Sequence, residues 1–192
     1  MLQSLPARRV TRFVPLLALA TVIVVAPRPA AADAPEPALD RAVFEQLKSL
    51  AGRWEGQVDD TSATPVALEL QVTSNGTAVL ERVFAGEPHE MTTVYYLAMG
   101  RLLATHYCSL GNQPGFKLAP NAKPTDIVMD FAGGSGFDPA TDQHAHGVRI
   151  QSVDPGRLRV EWQFRKGEAD PTYARMTLQR VAAAAATPTV KP

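Results

Sequence analysis

From residue 53 to residue 181 the chain alternates apolar and polar side chains with a period of two, and clusters of turn-forming residues cut that alternation into short runs. Such a pattern makes strands with one buried and one wet face. The cleanest run places Leu158, Val160, Trp162 and Phe164 on one face and Arg157, Arg159, Glu161, Gln163 and Arg165 on the other. Val66, Leu68, Leu70 and Val72 alternate in the same way, and Ser74-Asn75-Gly76 turns the chain into a run over 77–84. Further runs cover 89–98, 101–108, 126–132, 144–153 and 172–181, with short strands at 53–58 and 116–118, nine or ten in all. Ahead of them, Leu39, Val43, Phe44, Leu47 and Leu50 recur at helical spacing, and Gly52 ends that helix. Sequential antiparallel strands joined by short turns predict an all-β, up-and-down antiparallel barrel of eight to ten strands with one N-terminal helix, because closure removes exposed sheet edges.

The 192 residues carry 19 basic and 19 acidic side chains, so the chain lacks the basic excess with which nucleic-acid proteins displace phosphate counterions. No nucleic-acid partner is expected. The balance hides an asymmetry: residues 1–32 hold Arg8, Arg9, Arg12 and Arg28 and no acid, and without those four the remainder has 15 basic against 19 acidic residues. An apolar run over 13–26 follows three of these arginines and precedes Ala30, Ala31 and Ala32, the arrangement of a cleaved export signal. At 14 residues it is shorter than the roughly 20 that span a bilayer. We therefore expect 1–32 to be a signal peptide, 33–38 a flexible lead-in, 39–181 the barrel domain and 182–192 a disordered tail, with the mature protein periplasmic or secreted and free of the membrane. Cys108 is the single cysteine, so no internal disulfide can form and the fold must rest on its own core.

The passage from helix to first strand reads Gly52-Arg53-Trp54-Glu55-Gly56. Longer stretches read Pro88-His89-Glu90-Met91, Thr105-His106-Tyr107-Cys108, Gly111-Asn112-Gln113-Pro114 and Asp142-Gln143-His144-Ala145-His146. Together they resemble an uncharacterised family of exported bacterial lipocalin-like (calycin) barrel proteins over residues 40–181. That resemblance implies structural roles for Gly52, Trp54 and Gly56, with Trp54 plugging the closed end; as a cation over an aromatic face, Arg175 or Arg180 of the last strand is the expected partner stacked on its ring. A more distant resemblance is to nitrobindin, a haem-binding barrel that opens Gly-x-Trp-x-Gly-x-Gly, where this chain has Val58 at the last glycine. It brings in haem as a cofactor by analogy alone.

Strand parity locates the histidines. If Met99-Gly100 is a two-residue hairpin loop, His106 lies opposite Thr93 and Cys108 opposite Met91. One face then holds His89, Met91, Thr93, Tyr95, His106 and Cys108, while the other carries Glu90 and Arg101, so the first is the candidate interior. The same rule puts His144 and His146 on the face of Val148 and Ile150. If 116–118 is a strand, His89, His106, Cys108, His144 and His146 all reach one end of the barrel, opposite Trp54. The candidate ligand-binding set is therefore His89, Met91, Tyr95, His106, Cys108, Asn112, Gln113, His144 and His146. Within it, His106, His144 and His146 are candidate ligands for zinc or copper, against the alternative that each is held by hydrogen bonds to backbone or carboxylates.

These residues predict a barrel that binds a small, largely apolar ligand, haem or a metal through a His-lined mouth. Two alternatives stand beside it: an enzyme of hydrolase or isomerase type using the same histidines as acid or base, and a filled barrel with a structural role. A Cys108 nucleophile served by His106 is disfavoured, because same-face neighbours on a strand stand roughly 7 Å apart. No nucleophile elbow, phosphate loop or dinucleotide fingerprint is visible, and Gly133-Gly134-Ser135-Gly136 reads as a loop.

Overall fold

The computed structural model describes residues 38–59 and 63–182; the expected signal peptide, all but the last residue of the expected lead-in and all but the first residue of the expected tail lie outside them, and Ala38 already belongs to the helix. One helix, α1 (Ala38–Ser49), is followed by ten strands: β1 (Gly52–Val58), β2 (Pro65–Thr73), β3 (Ala78–Val83), β4 (Met91–Ala98), β5 (Arg101–Tyr107), β6 (Gln113–Leu118), β7 (Asp126–Ser135), β8 (Gln143–Asp154), β9 (Arg157–Lys166) and β10 (Thr172–Arg180). Each strand pairs antiparallel with its neighbour in sequence, and β1 pairs with β10, so the sheet closes on itself as an up-and-down barrel. The weak run at 116–118 is a full strand, β6, and the glycines at 133 and 134 extend β7 instead of forming a loop.

Closure depends on a missing side chain. At Gly56 a Cβ would collide with the carbonyl of Thr177, so only glycine lets β1 approach β10 closely enough to seal the barrel. The β4–β5 connection is the two-residue hairpin its sequence predicts, with φ of 50° at Met99 and 77° at Gly100, and it aligns Thr93 with His106.

The helix lies across one end. Its apolar stripe of Val43, Phe44, Leu47 and Leu50 is buried against the strand ends, and Gln46 reaches Ser152 at the end of β8. The Asp40 carboxylate is buried there and accepts a hydrogen bond of 2.7 Å from the Leu102 N–H, with Arg101 3.4 Å away. Trp54 is fully buried beside the helix; its indole N–H donates to the Leu50 carbonyl at 3.0 Å, and the guanidinium of Arg180 stacks 4.2 Å from the ring centre. Of the two arginines predicted as its partner, Arg180 takes the place, while Arg175 pairs with Glu161 on the outer face.

Inward-facing side chains fill the middle of the barrel. Tyr95, Leu102, Phe116, Met129, Ile150 and Trp162 all expose 2% of their surface or less.

Candidate functional site

Counting strand directions from the helix end brings His106, Cys108, His144 and His146 to the opposite end, on β5, the β5–β6 connection and β8. His89 reaches the same end but does not share the interior face. Its segment turns, with Glu90 N–H bonded to the Glu87 carbonyl, so β4 begins only at Met91, and the exposed imidazole packs against Phe84.

The other interior assignments on β4 and β5 hold, and they expose a polar chain inside the apolar core. Glu81 of β3 is buried between Val79 and Val83 with 1% of its surface exposed. Tyr95 donates its hydroxyl to one Glu81 carboxylate oxygen at 2.9 Å, and Thr93 Oγ1 lies 3.4 Å from the other. The same Thr93 oxygen lies 2.9 Å from Nδ1 of His106, its cross-strand partner. Burial pushes the Glu81 carboxyl up to about 7 and holds the His106 imidazole down to about 4, so His106 is neutral over the ordinary pH range. Burial and the Glu81 carboxylate together raise the Tyr95 phenol, which stays protonated.

The chain ends on an open atom. Nε2 of His106 is buried with no hydrogen-bond partner, and the imidazole packs 4.5 Å from the ring of Trp162, whose Nε1–H is likewise buried and unpartnered. Native interiors rarely tolerate such atoms, since each forfeits a hydrogen bond it would make in water. One step nearer the end opposite the helix, the inward positions are Met91, Cys108 and Phe164, with Val58, Phe84 and Ala174 also partly exposed against the core. An apolar rim thus stands above two unsatisfied nitrogens.

His144 and His146 form a separate pair. A β-bulge between Ala145 and Gly147 makes Ala145 the partner of Phe164 and aligns His144 with Arg165, which interrupts the strict alternation with Val148 and Ile150; His144 is nonetheless buried, with 1% of its surface exposed, and His146 is half-buried. Backbone carbonyls only accept, so the 3.0 Å contact with the Asp142 carbonyl fixes the proton of His144 on Nδ1. Its Nε2 then accepts from Nδ1–H of His146, also at 3.0 Å, while Phe131 and Phe137 pack on the rings. Three of the four ring nitrogens are spent on this chain, which leaves Nε2 of His146 alone with a lone pair.

The expected metal set of His106, His144 and His146 is therefore not assembled. The first is bound to Thr93 and packed on Trp162, the other two bind each other, and among the described residues no three His, Cys, Asp or Glu side chains gather as ligands. Haem does not fit His106 either: the imidazole exposes 1% of its surface and packs, tilted by 39°, 4.5 Å from the ring of Trp162, too enclosed for a macrocycle. Cys108 sits 4.0 Å from the sulfur of Met91, and burial pushes its thiol up, away from the thiolate a nucleophile needs. Asn112 and Gln113 brace the rim: Asn112 donates to the Gln143 carbonyl at 2.8 Å, and Gln113 joins Gly111 to Ser135.

The sequence reading passed over Glu81, Thr93 as a polar link, and Trp162 as a donor. A signal for the first was present, because a carboxylate between Val79 and Val83 breaks an otherwise apolar inward face. No protein-family model matches the chain, and no curated protein is similar enough to it to lend a function.

Proposed function

We propose that this is an exported barrel that binds a small, largely apolar molecule at the end opposite the helix, with a polar group of the ligand meeting His106 and Trp162. The observation that supports it is the pair of buried, unpartnered ring nitrogens beneath an apolar rim of Met91, Phe164, Val58 and Ala174. Met91 is unbranched and flexible, and its displacement opens the way to them. The export half of the proposal rests on the N-terminal arginines and apolar run, and no described helix is long and apolar enough to cross a membrane.

Calorimetric titration with ten-carbon probes that differ only in head group tests the reading. Saturable one-to-one binding is expected for the wild type, weakened at least about tenfold by His106→Leu and by Trp162→Phe, the loss of one buried hydrogen bond each. Binding that neither substitution changes would remove the site. A second reading, a filled barrel with a structural role, draws on the near-complete burial of Tyr95, Phe116, Met129 and Trp162 and expects no binding of any probe.

A further inference from the structure

Resting on that binding site, we propose that its ligand is a carboxylate with an apolar body, and that binding is coupled to uptake of one proton through the chain His106–Thr93–Glu81. Two of the links are hydrogen bonds to one hydroxyl, and a hydroxyl has a single proton to give. The direction of the whole chain is therefore set at one end.

When Glu81 is ionised its oxygens accept from Tyr95 and Thr93, so the Thr93 oxygen must accept from Nδ1–H of His106. Nε2 is then a bare lone pair, which repels a carboxylate. When Glu81 is protonated it donates to Thr93, Thr93 donates to Nδ1, and the imidazole carries its proton on Nε2. That N–H and the Nε1–H of Trp162, on rings whose centres lie 4.5 Å apart, then offer two donors to the oxygens of one carboxylate. The proton balance closes along the chain. One proton arrives at Nε2, the Nδ1 proton passes to the Thr93 oxygen, and the hydroxyl proton of Thr93 passes to Glu81 Oε1. The imidazole stays neutral throughout, Glu81 loses its charge, and the bound carboxylate replaces it as the negative charge on this chain of groups.

Few other charges act on Glu81. Its cross-strand partner on β2 is Leu70, β4 offers Thr93 and Tyr95, and Arg82 beside it on β3 pairs with Glu69 and Glu90 on the outer face. Asp40 of the helix is held by Leu102 and Arg101 at the helix end. Tyr95 donates to Glu81 directly and keeps its proton, so among the described residues His106 is the titratable group whose proton position follows Glu81 through Thr93.

Two measurements separate this coupling from the binding site itself. In ligand-free protein, nitrogen NMR of the His106 ring between about pH 5.5 and about pH 8.5 should show the proton moving from Nε2 to Nδ1 as pH rises, with one midpoint shared by the Glu81 carboxyl carbon. Thr93→Val should abolish the exchange while leaving Glu81 titrating, and Glu81→Gln should hold the low-pH tautomer at every pH. A ring whose tautomer ignores pH overturns the relay. In the second arm, decanoate should bind the wild type about tenfold more weakly per pH unit above the midpoint, and decan-1-ol, which can donate or accept, should bind without pH dependence. Decanoate affinity that is equal at both pH values, or a slope that survives Thr93→Val, overturns the coupling and leaves the binding site standing. Failure of both probes at every pH overturns the binding site and the coupling with it.

Discussion

The barrel holds two tryptophans, and the contrast between them separates its two ends. Trp54 donates its indole N–H to the Leu50 carbonyl and carries Arg180 on its face, beside a buried carboxylate, Asp40, that is itself paired with a backbone N–H. Trp162 is as deeply buried, yet its indole N–H has no partner. The pattern extends beyond the two rings. The buried side-chain polar atoms without partners among the described residues belong to His106, Asn112, Trp162 and Arg165, on β5, the β5–β6 connection and the second half of β9, which lead away from the helix. Unsatisfied donors and acceptors each forfeit about 1–3 kcal/mol, so their concentration at one end marks where the fold sacrifices stability. The helix end holds the barrel together; the far end keeps atoms in reserve.

The largest expected effect tests the helix end directly. Trp54→Ala removes the plug, its hydrogen bond and the surface on which Arg180 stacks, and should lower unfolding free energy by about 3–5 kcal/mol, as for other large aromatics truncated in cores. A urea midpoint that stays put would show that the plug is dispensable.

At the far end the next effect is one of pH. The Glu81 carboxyl is raised from 4.5 to about 7 in the folded state, so its contribution to stability is whole below 4.5 and lost as pH rises through about 7. His106 is lowered from 6.5 to about 4, so its contribution is whole above 6.5 and lost as pH falls through about 4. Displacements of this size correspond to about 3 kcal/mol each, with opposite signs, and the two nearly cancel in the wild type between pH 4.5 and 6.5. Single substitutions should unmask them. Relative to the wild type, Glu81→Gln should gain about 3 kcal/mol on going from acid to pH 8, and His106→Asn should lose about as much over the same span. Denaturation series in which both differences stay flat would mean that neither group titrates as a buried one.

A third effect returns to the helix end. Asp40→Ala strands the Leu102 N–H in a buried position, which should cost about 1–3 kcal/mol and speed hydrogen exchange at that amide. Exchange at Leu102 unchanged from the wild type would show that water replaces the carboxylate there.

Period-two alternation made the barrel, its strand count and the hairpin at Met99-Gly100 legible in the sequence, because buried and wet faces must alternate along every strand. Gly-x-Trp pointed to the plug only through the resemblance that it carries, not through periodicity. The site was only half legible. Parity predicted that Thr93, Tyr95 and His106 face inward, and they do; it could not foresee the bulge between Ala145 and Gly147, which adds a residue that no periodic rule can anticipate and aligns His144 with Arg165. It also could not join Glu81 to His106, whose link runs through Thr93 across three strands and depends on side-chain rotamers. Spacing suggested that His144 and His146 converge on a metal, whereas adjacent imidazoles on a bulged strand found it easier to bond each other.

The smallest effect is the sharpest test of the contrast, because it removes the same atoms at both ends. Trp54→Phe and Trp162→Phe each delete an indole N–H and shrink a buried ring by the same volume. At Trp54 the change also breaks a hydrogen bond and leaves the Leu50 carbonyl without its donor, so the cavity and the lost bond add. At Trp162 the deleted N–H had no partner, and relief of its unmet desolvation offsets most of the cavity. We expect Trp162→Phe to change stability by less than about 1 kcal/mol and Trp54→Phe to cost about 1–3 kcal/mol more, read from urea midpoints at fixed pH. Equal losses would mean that Trp162 Nε1 finds a partner such as a buried water in solution, and the distinction between a satisfied end and an unsatisfied one would then collapse at its best-defined atom.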